Sequence, residues 1–119
     1  MDDARIWSFE ESLWIASPEH YRESIDDQCL MVLPALPFVF TGEQSIAAVS
    51  QTPRWDQVEL SERQVARPQE GLMVIAYKAR ASRGEERYSA FCTSTYRRLK
   101  HDDWRVVQHQ QTVPLTTGD

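Results

Sequence analysis

The stretch GLMVIAYKARASRGEERYSAFCTSTYRRLKHDDWRVVQHQQTVP, from Gly71 to Pro114, decides the fold. It reads as three strands, over residues 72–82, 86–100 and 103–113. The joints, Arg83-Gly84-Glu85 and Lys100-His101-Asp102, are polar and short enough for hairpins. Consecutive strands of about ten residues joined this tightly form an antiparallel meander, because a parallel pair needs a long crossover. Everything earlier in the chain reads as material that covers one face of that sheet.

At 119 residues and 41% hydrophobic content, the chain is expected to form a single domain, residues 1–119, with a real core. A net charge of −5 argues against broad attraction to nucleic acid or an anionic membrane, so neither is an expected partner. No apolar run reaches the eighteen or so residues a spanning helix needs. The acidic start, Met1-Asp2-Asp3, does not resemble a signal peptide, so a cytoplasmic location is expected. Cys29 and Cys92 fall inside predicted strands and read as small core residues.

Residues 3–16 carry Ile6, Phe9, Leu13 and Ala16 at helical spacing, with Trp7 and Trp14 widening the stripe. Ser17-Pro18 stops that helix and starts a second, over residues 18–24. Residues 29–33 are of strand type, and Pro34 and Pro37 predict that this strand is short or at an edge. Phe38 to Phe40 resume briefly. Thr41 and Gln44 stand at capping-box spacing for a third helix that buries Ile46 and Val49. Residues 54–67 form a polar strand in which Val58 and Leu60 share one parity and Val65 has the other, so a bulge is expected at 61–64. Helices in front and an antiparallel sheet behind define an α+β fold, with the N-terminal helices packed on a curved, mostly antiparallel sheet.

Parity then divides the sheet into faces. In the strand over 72–82 the odd set, Met73, Ile75, Tyr77, Ala79 and Ala81, points to the helices. In the next strand both sets are half apolar. The odd set with Thr93 and Thr95 is taken as inward, and the even set with Tyr88, Cys92 and Tyr96 as outward, joined by Trp104 and Val106. An outer face so rich in aromatics predicts a homodimer packed through Tyr88, Tyr96 and Trp104. The alternative is a scatter of exposed aromatic rings.

Several segments in this order look familiar: Leu30-Met31-Val32-Leu33-Pro34, Trp55-Asp56-Gln57-Val58, Ala76-Tyr77-Lys78-Ala79, Tyr88-Ser89-Ala90 with Ser94-Thr95-Tyr96, and the block from Trp104 to Thr112. Together they resemble the nuclear transport factor 2-like superfamily, and within it the group filed as domain of unknown function 4440. The last block is the most specific. The resemblance covers nearly the whole chain. It implies a cone-shaped fold, three helices closing a curved sheet around a pocket, and commonly a homodimer through the outer sheet face. Relatives of this fold include ketosteroid isomerases, polyketide cyclases, dehydratases and a kinase association domain, so the fold alone implies no activity. By the same resemblance, the association domain lines its pocket with arginines at positions matching Ala79, Thr95 and Gln111. None is arginine here, which argues against an anionic ligand held that way.

A pocket inside the cone is expected to be lined by Trp14, Tyr21, Trp55, Tyr77, Thr93, Thr95, His109 and Gln111. A volume of about 300 Å³ or more would mark it as a binding site. His109 is the residue best suited to acid/base chemistry, with Tyr77 as a hydrogen-bond donor; otherwise His109 and Gln111 simply satisfy each other or a buried water. No carboxylate falls at the positions taken as inward. Glu10-Glu11, Asp26-Asp27 and Glu85-Glu86 read as solvated surface. His20, His101 and His109 are far apart in the chain, no metal-ligand spacing occurs, and no phosphate loop or cofactor turn is present, so neither metal nor cofactor is expected. Three readings stay open. The first is a homodimeric small-molecule-binding domain with an apolar pocket. The second is an isomerase, cyclase or dehydratase using His109. The third is an assembly module whose interior is filled by Trp7, Trp14, Trp55 and Tyr77.

Overall fold

The computed structural model describes residues 1–115. Helix α1 (Asp3–Ile15) starts where the Asp2 carboxylate accepts from the Arg5 amide, and α2 (Pro18–Ser24) starts on Ser17 with Pro18 at its first position. Strand β1 (Ile25–Val32) and the short β2 (Val39–Thr41) follow. Helix α3 (Gly42–Ser50) opens with the reciprocal capping box between Thr41 and Gln44. The four long strands are β3 (Gln57–Gln69), β4 (Leu72–Arg83), β5 (Glu86–Arg98) and β6 (Trp104–Thr112).

The six strands form one sheet in the order β2-β1-β6-β5-β4-β3. Only β1 and β6 run parallel; the strands from β3 to β6 are the expected antiparallel meander. The helices lie on one face of this curved sheet, and their apolar side chains share one core with it. The fold is therefore the α+β arrangement expected from the order of elements. The bulge also lies where parity demanded it: pairing of β3 with β4 shifts between Ser61 and Gln64, and Glu62 takes a positive φ of 52°.

Two expectations about β1 change. It begins four residues before Cys29, and it lies between β2 and β6 rather than at the edge. Pro34 and Pro37 stand beyond its last residue, where they interrupt no ladder. In α3 the fully buried side is Gly42 and Ser45, with Ile46 and Val49 only half-buried against the core.

The larger correction concerns the faces of β5. Arg83 pairs with Glu86 across a two-residue loop, so odd positions of β4 stand opposite even positions of β5: Tyr77 opposite Cys92, Ile75 opposite Ser94 and Met73 opposite Tyr96. Directly opposed residues share a face. Since Tyr77 points to the helices, so do Cys92, Ser94 and Tyr96, and Tyr88 with them. Tyr96 is fully buried against Phe9 of α1, and Trp104 and Val106 belong to the core. Tyr88, Tyr96 and Trp104 are thus interior residues and cannot form an outer surface. Thr93 and Thr95 point outward, where they bracket Gln108: Thr95 Oγ1 donates to Gln108 Oε1 at 2.9 Å, and Gln108 Nε2 donates to Thr93 Oγ1 at 3.2 Å.

Candidate functional site

The interior site starts from α1. Glu10 stands three and four residues after Trp7 and Ile6, and four before Trp14, so these side chains share one helix face. That face lies on the sheet, and it carries a glutamate into the core with its side chain almost wholly buried. The expectation that Glu10 and Glu11 form a solvated pair holds only for Glu11, which is partly exposed beside Arg63. Asp26 departs from its expected exposure too: it is buried and takes both nitrogens of Arg97 in a bidentate pair at 2.7 and 2.8 Å.

A buried carboxylate must be hydrogen-bonded to persist. Glu10 accepts from Tyr77 Oη at 2.5 Å, from Ser94 Oγ at 2.6 Å and from Tyr96 Oη. The direction of the Tyr77 bond follows from its other neighbour. The Trp14 indole N–H can only donate, and it reaches Tyr77 Oη at 3.2 Å, so the tyrosine's own proton goes to Glu10. Tyr77 is expected from the sequence to meet a ligand; instead its hydroxyl is committed to Glu10 and Trp14. Burial first, and Glu10's charge second, hold the phenols of Tyr77 and Tyr96 well above their ordinary pKa.

The same reasoning sets the protons beyond Ser94. Its oxygen is 2.7 Å from His109 Nδ1. With the serine proton on Glu10, Ser94 Oγ accepts from a protonated Nδ1, and Nε2 of the neutral ring is left as an acceptor. Gln111 Nε2 stands 3.1 Å from that nitrogen, and Gln111 Oε1 accepts from Tyr88 Oη at 2.7 Å. Each link of the chain Tyr88, Gln111, His109, Ser94, Glu10 thus pairs a donor with an acceptor. Burial lowers the His109 pKa, against the opposing pull of Glu10, whose carboxylate lies 3.7 Å from Nδ1. The ring is neutral near pH 7. The expected pairing of His109 with Gln111 is present, but it is one link of a longer chain.

This chain ends at a cavity of about 170 Å³. Trp14, Tyr21 and Trp55 form its aromatic walls, and Leu13, Met31, Leu33, Val49 and Val106 its aliphatic ones. Trp55 stacks on Tyr88 at 5.7 Å between centroids, and Trp14 stands edge-on to His109 at 6.4 Å. Of the residues expected to line a pocket, Trp14, Tyr21, Trp55, His109 and Gln111 meet around this cavity; Tyr77 lies behind them, and Thr93 and Thr95 are on the other face. The sequence reading omits Glu10 and Arg54. The signal for Glu10 was its place on the Ile6–Trp14 stripe. Arg54 lines the cavity from the segment before β3, its Nε donating to Ala16 O at 2.9 Å and an Nη2 hydrogen to Leu13 O.

A volume near 170 Å³ is smaller than drug-sized pockets, which start near 300 Å³, and close to the roughly 150 Å³ that accommodates benzene. The interior is therefore neither packed solid nor wide enough for a fused polycyclic molecule. Among the described residues no group of three or more His, Cys, Asp or Glu is placed to hold a metal ion. Both cysteines are buried, and burial pushes their thiols up to about 12, far from the thiolate a nucleophile needs. No helix among the described residues is long and apolar enough to cross a membrane.

Compared with known proteins, the chain has the nuclear transport factor 2-like fold. A candidate ketosteroid isomerase from Parabacteroides distasonis superposes with a TM-score of 0.79 at 21% identity, over 92% of this chain and 86% of that one. A nuclear transport factor 2-like protein from Cytophaga hutchinsonii gives 0.75 at 18% identity, over 96% and 100%. One of unknown function in nutrient uptake from Rhodospirillum rubrum gives 0.79 at 16%, over 97% and 100%. No family model and no curated protein matches the sequence, so the narrower domain of unknown function 4440 grouping rests on the sequence resemblance.

Proposed function

We propose that the protein binds one small, largely apolar molecule, about the size of a single substituted ring, inside the cone. The observation that carries this reading is the open cavity between Trp14, Tyr21 and Trp55, closed at one end by His109 and Gln111. An assembly module with a filled interior would leave no such space. The bound molecule turns its apolar body to the aromatic walls and a polar handle to the polar part of the lining, to which Arg54, His109 and Gln111 belong.

The test is a titration with one-ring compounds, neutral and charged, read by tryptophan fluorescence, since Trp14 and Trp55 both line the space. Binding is expected in the wild type and is expected to vanish in Val49→Phe, which fills the cavity from α3. If no compound of this size binds the wild type, or if the filled variant binds equally well, the reading fails.

A second reading, that the site also moves a proton, is favoured by the chain from His109 through Ser94 to Glu10. The bound molecule displaces Gln111 from His109 Nε2, which then takes a proton from it, and the imidazolium so formed is stabilised by the carboxylate behind Ser94. This is the acid/base role suited to isomerase, cyclase or dehydratase chemistry. His109→Gln is then expected to keep probe binding while turnover of a true substrate falls by about 10²–10⁴. We also propose that the protein acts as a homodimer through its outer sheet face, where Leu30, Val32, Val39 and Phe91 are exposed.

A further inference from the structure

We infer that the molecule bound in the cavity is an anion, a small monocarboxylate whose carboxylate is held by Arg54 while its apolar body extends toward His109. This rests on the cavity being a binding site, and it adds the chemical class of the ligand.

The inference starts from the way Arg54 is held. Its Nε and one Nη2 hydrogen donate to the last carbonyls of α1, at Ala16 and Leu13, and its guanidinium lies 5.5 Å from the centre of the Tyr21 ring. Two of five N–H donors are used, so the fork is fixed in place with three donors left among the described residues. Among those residues no carboxylate pairs with it. The only carboxylate lining the cavity is Glu10, and its oxygens already accept from three hydroxyls.

A half-buried, unpaired cation beside an apolar space is costly until an anion arrives. Burial accordingly lowers the Arg54 pKa, against an opposing pull from Tyr21 and with a smaller push from Arg83. Arg83 stacks on Trp55 at 4.3 Å but is paired with Glu86 at 2.9 Å, which leaves Arg54 as the cation that lines the cavity. Arg54 is tied to Leu13 and Ala16, three and six residues beyond Glu10, about 4.5–9 Å along the helix direction. A carboxylate at Arg54 thus sits toward the C-terminal end of α1, and Glu10's oxygens are turned to their three hydroxyl donors. A planar carboxylate fits the guanidinium fork better than a tetrahedral anion fits this narrow apolar space. The arginine positions implied by the family resemblance are empty here, and Arg54 comes from a different part of the chain.

The experiment compares benzoate with benzamide, two planar rings of the same shape that differ in charge, by calorimetric titration of the full-length protein. Benzoate is expected to bind at least about tenfold more tightly, equivalent to about 1.4 kcal/mol. Arg54→Met is expected to bring the two within about threefold, chiefly by weakening benzoate. Because that variant also loses the two bonds to α1, the wild-type Arg54 Nε–H resonance gives a reading without it: benzoate should shift the signal and benzamide should not. Equal affinities in the wild type would overturn the inference while leaving the cavity as a binding site. Binding of neither compound would overturn both. A preference for benzoate that survives Arg54→Met would assign the anion to some other group and overturn it.

Discussion

Taking a carboxylate out of water costs several kcal/mol unless its oxygens find donors, and Glu10 finds three in Tyr77, Ser94 and Tyr96. Glu10→Gln keeps the shape but replaces an acceptor oxygen by an N–H donor, leaving at least one buried hydroxyl badly matched. A loss of about 1–3 kcal/mol in urea unfolding is expected, whereas Glu11→Gln, at a partly exposed pair 3.8 Å from Arg63, should stay within about 0.5 kcal/mol. Equal losses in the two variants would mean that Glu10 is not the buried member. His109 sets a pH dependence of known sign. Its folded pKa lies below 6.5 because burial disfavours the charged ring, so on acidification the unfolded chain takes up the proton first. Stability is full above pH 6.5 and falls as pH drops from there toward the folded pKa. His109→Gln should flatten that part of the stability–pH curve; a wild-type curve flat between pH 5 and 7, with the roughly unperturbed histidine value near 6.5, would contradict a depressed pKa. Both residues were partly legible in the sequence. His109 stood out because its strand was recognisable and its ring titrates in the useful range. Glu10 sat in plain view on the stripe of Ile6, Trp7 and Trp14, hidden by the habit of reading adjacent glutamates as surface.

At the level of elements, the β4–β5 hairpin shows which part of the register the sequence carried. The strands and their joints could be placed from apolar runs and turn residues, and Gly84, with a φ of +57°, occupies the turn position that suits glycine. The loop of two residues between Arg83 and Glu86 also determines that odd positions face even ones, which composition alone cannot decide when both faces are half apolar. Taking the same parity across the hairpin exchanged Thr93 and Thr95 for Ser94 and Tyr96. Helix α3 carries a different constraint. A Cβ on Gly42 would lie 3.1 Å from Asp26 O, 3.2 Å from Ile25 Cγ2 and 3.3 Å from Cys29 Cβ. All three belong to β1, which is held between β2 and β6 and cannot easily give way. Gly42→Ala gains about 0.4–1 kcal/mol from the unfolded chain, but overpacking costs about 1–3 kcal/mol. A net loss of about 1 kcal/mol is expected in chemical denaturation, and an Ala variant as stable as the wild type would show that α3 does not press on β1 this closely.

For the molecule as a whole, the outer sheet face offers a different surface from the one first expected. Leu30 and Val32 on β1, Val39 on β2 and Phe91 on β5 are substantially exposed, around the polar ladder of Thr93, Thr95 and Gln108. Self-association through this face predicts a dimer in analytical ultracentrifugation at micromolar concentration, converted to folded monomer by Phe91→Glu; a wild type that sediments as monomer throughout would remove the dimer. The architecture was readable from the order of helices and strands. The size of the interior was not, because it depends on how far Trp14 and Trp55 stop short of each other once α1 is laid on the sheet. Nor was Arg54, read as the first residue of a polar strand over 54–67: β3 begins only at Gln57, and Arg54 reaches the cavity from the irregular segment before it. The account turns on a neutral imidazole whose Nδ1–H is bound to Ser94 and whose Nε2 accepts from Gln111 at the cavity wall. Nitrogen-15 NMR of the His109 ring at pH 7 measures this directly. A protonated Nδ1 and a bare Nε2 that shifts when a one-ring probe binds is the predicted result. A proton on Nε2, or a fully charged ring, would contradict the chain of hydrogen bonds from the cavity to Glu10.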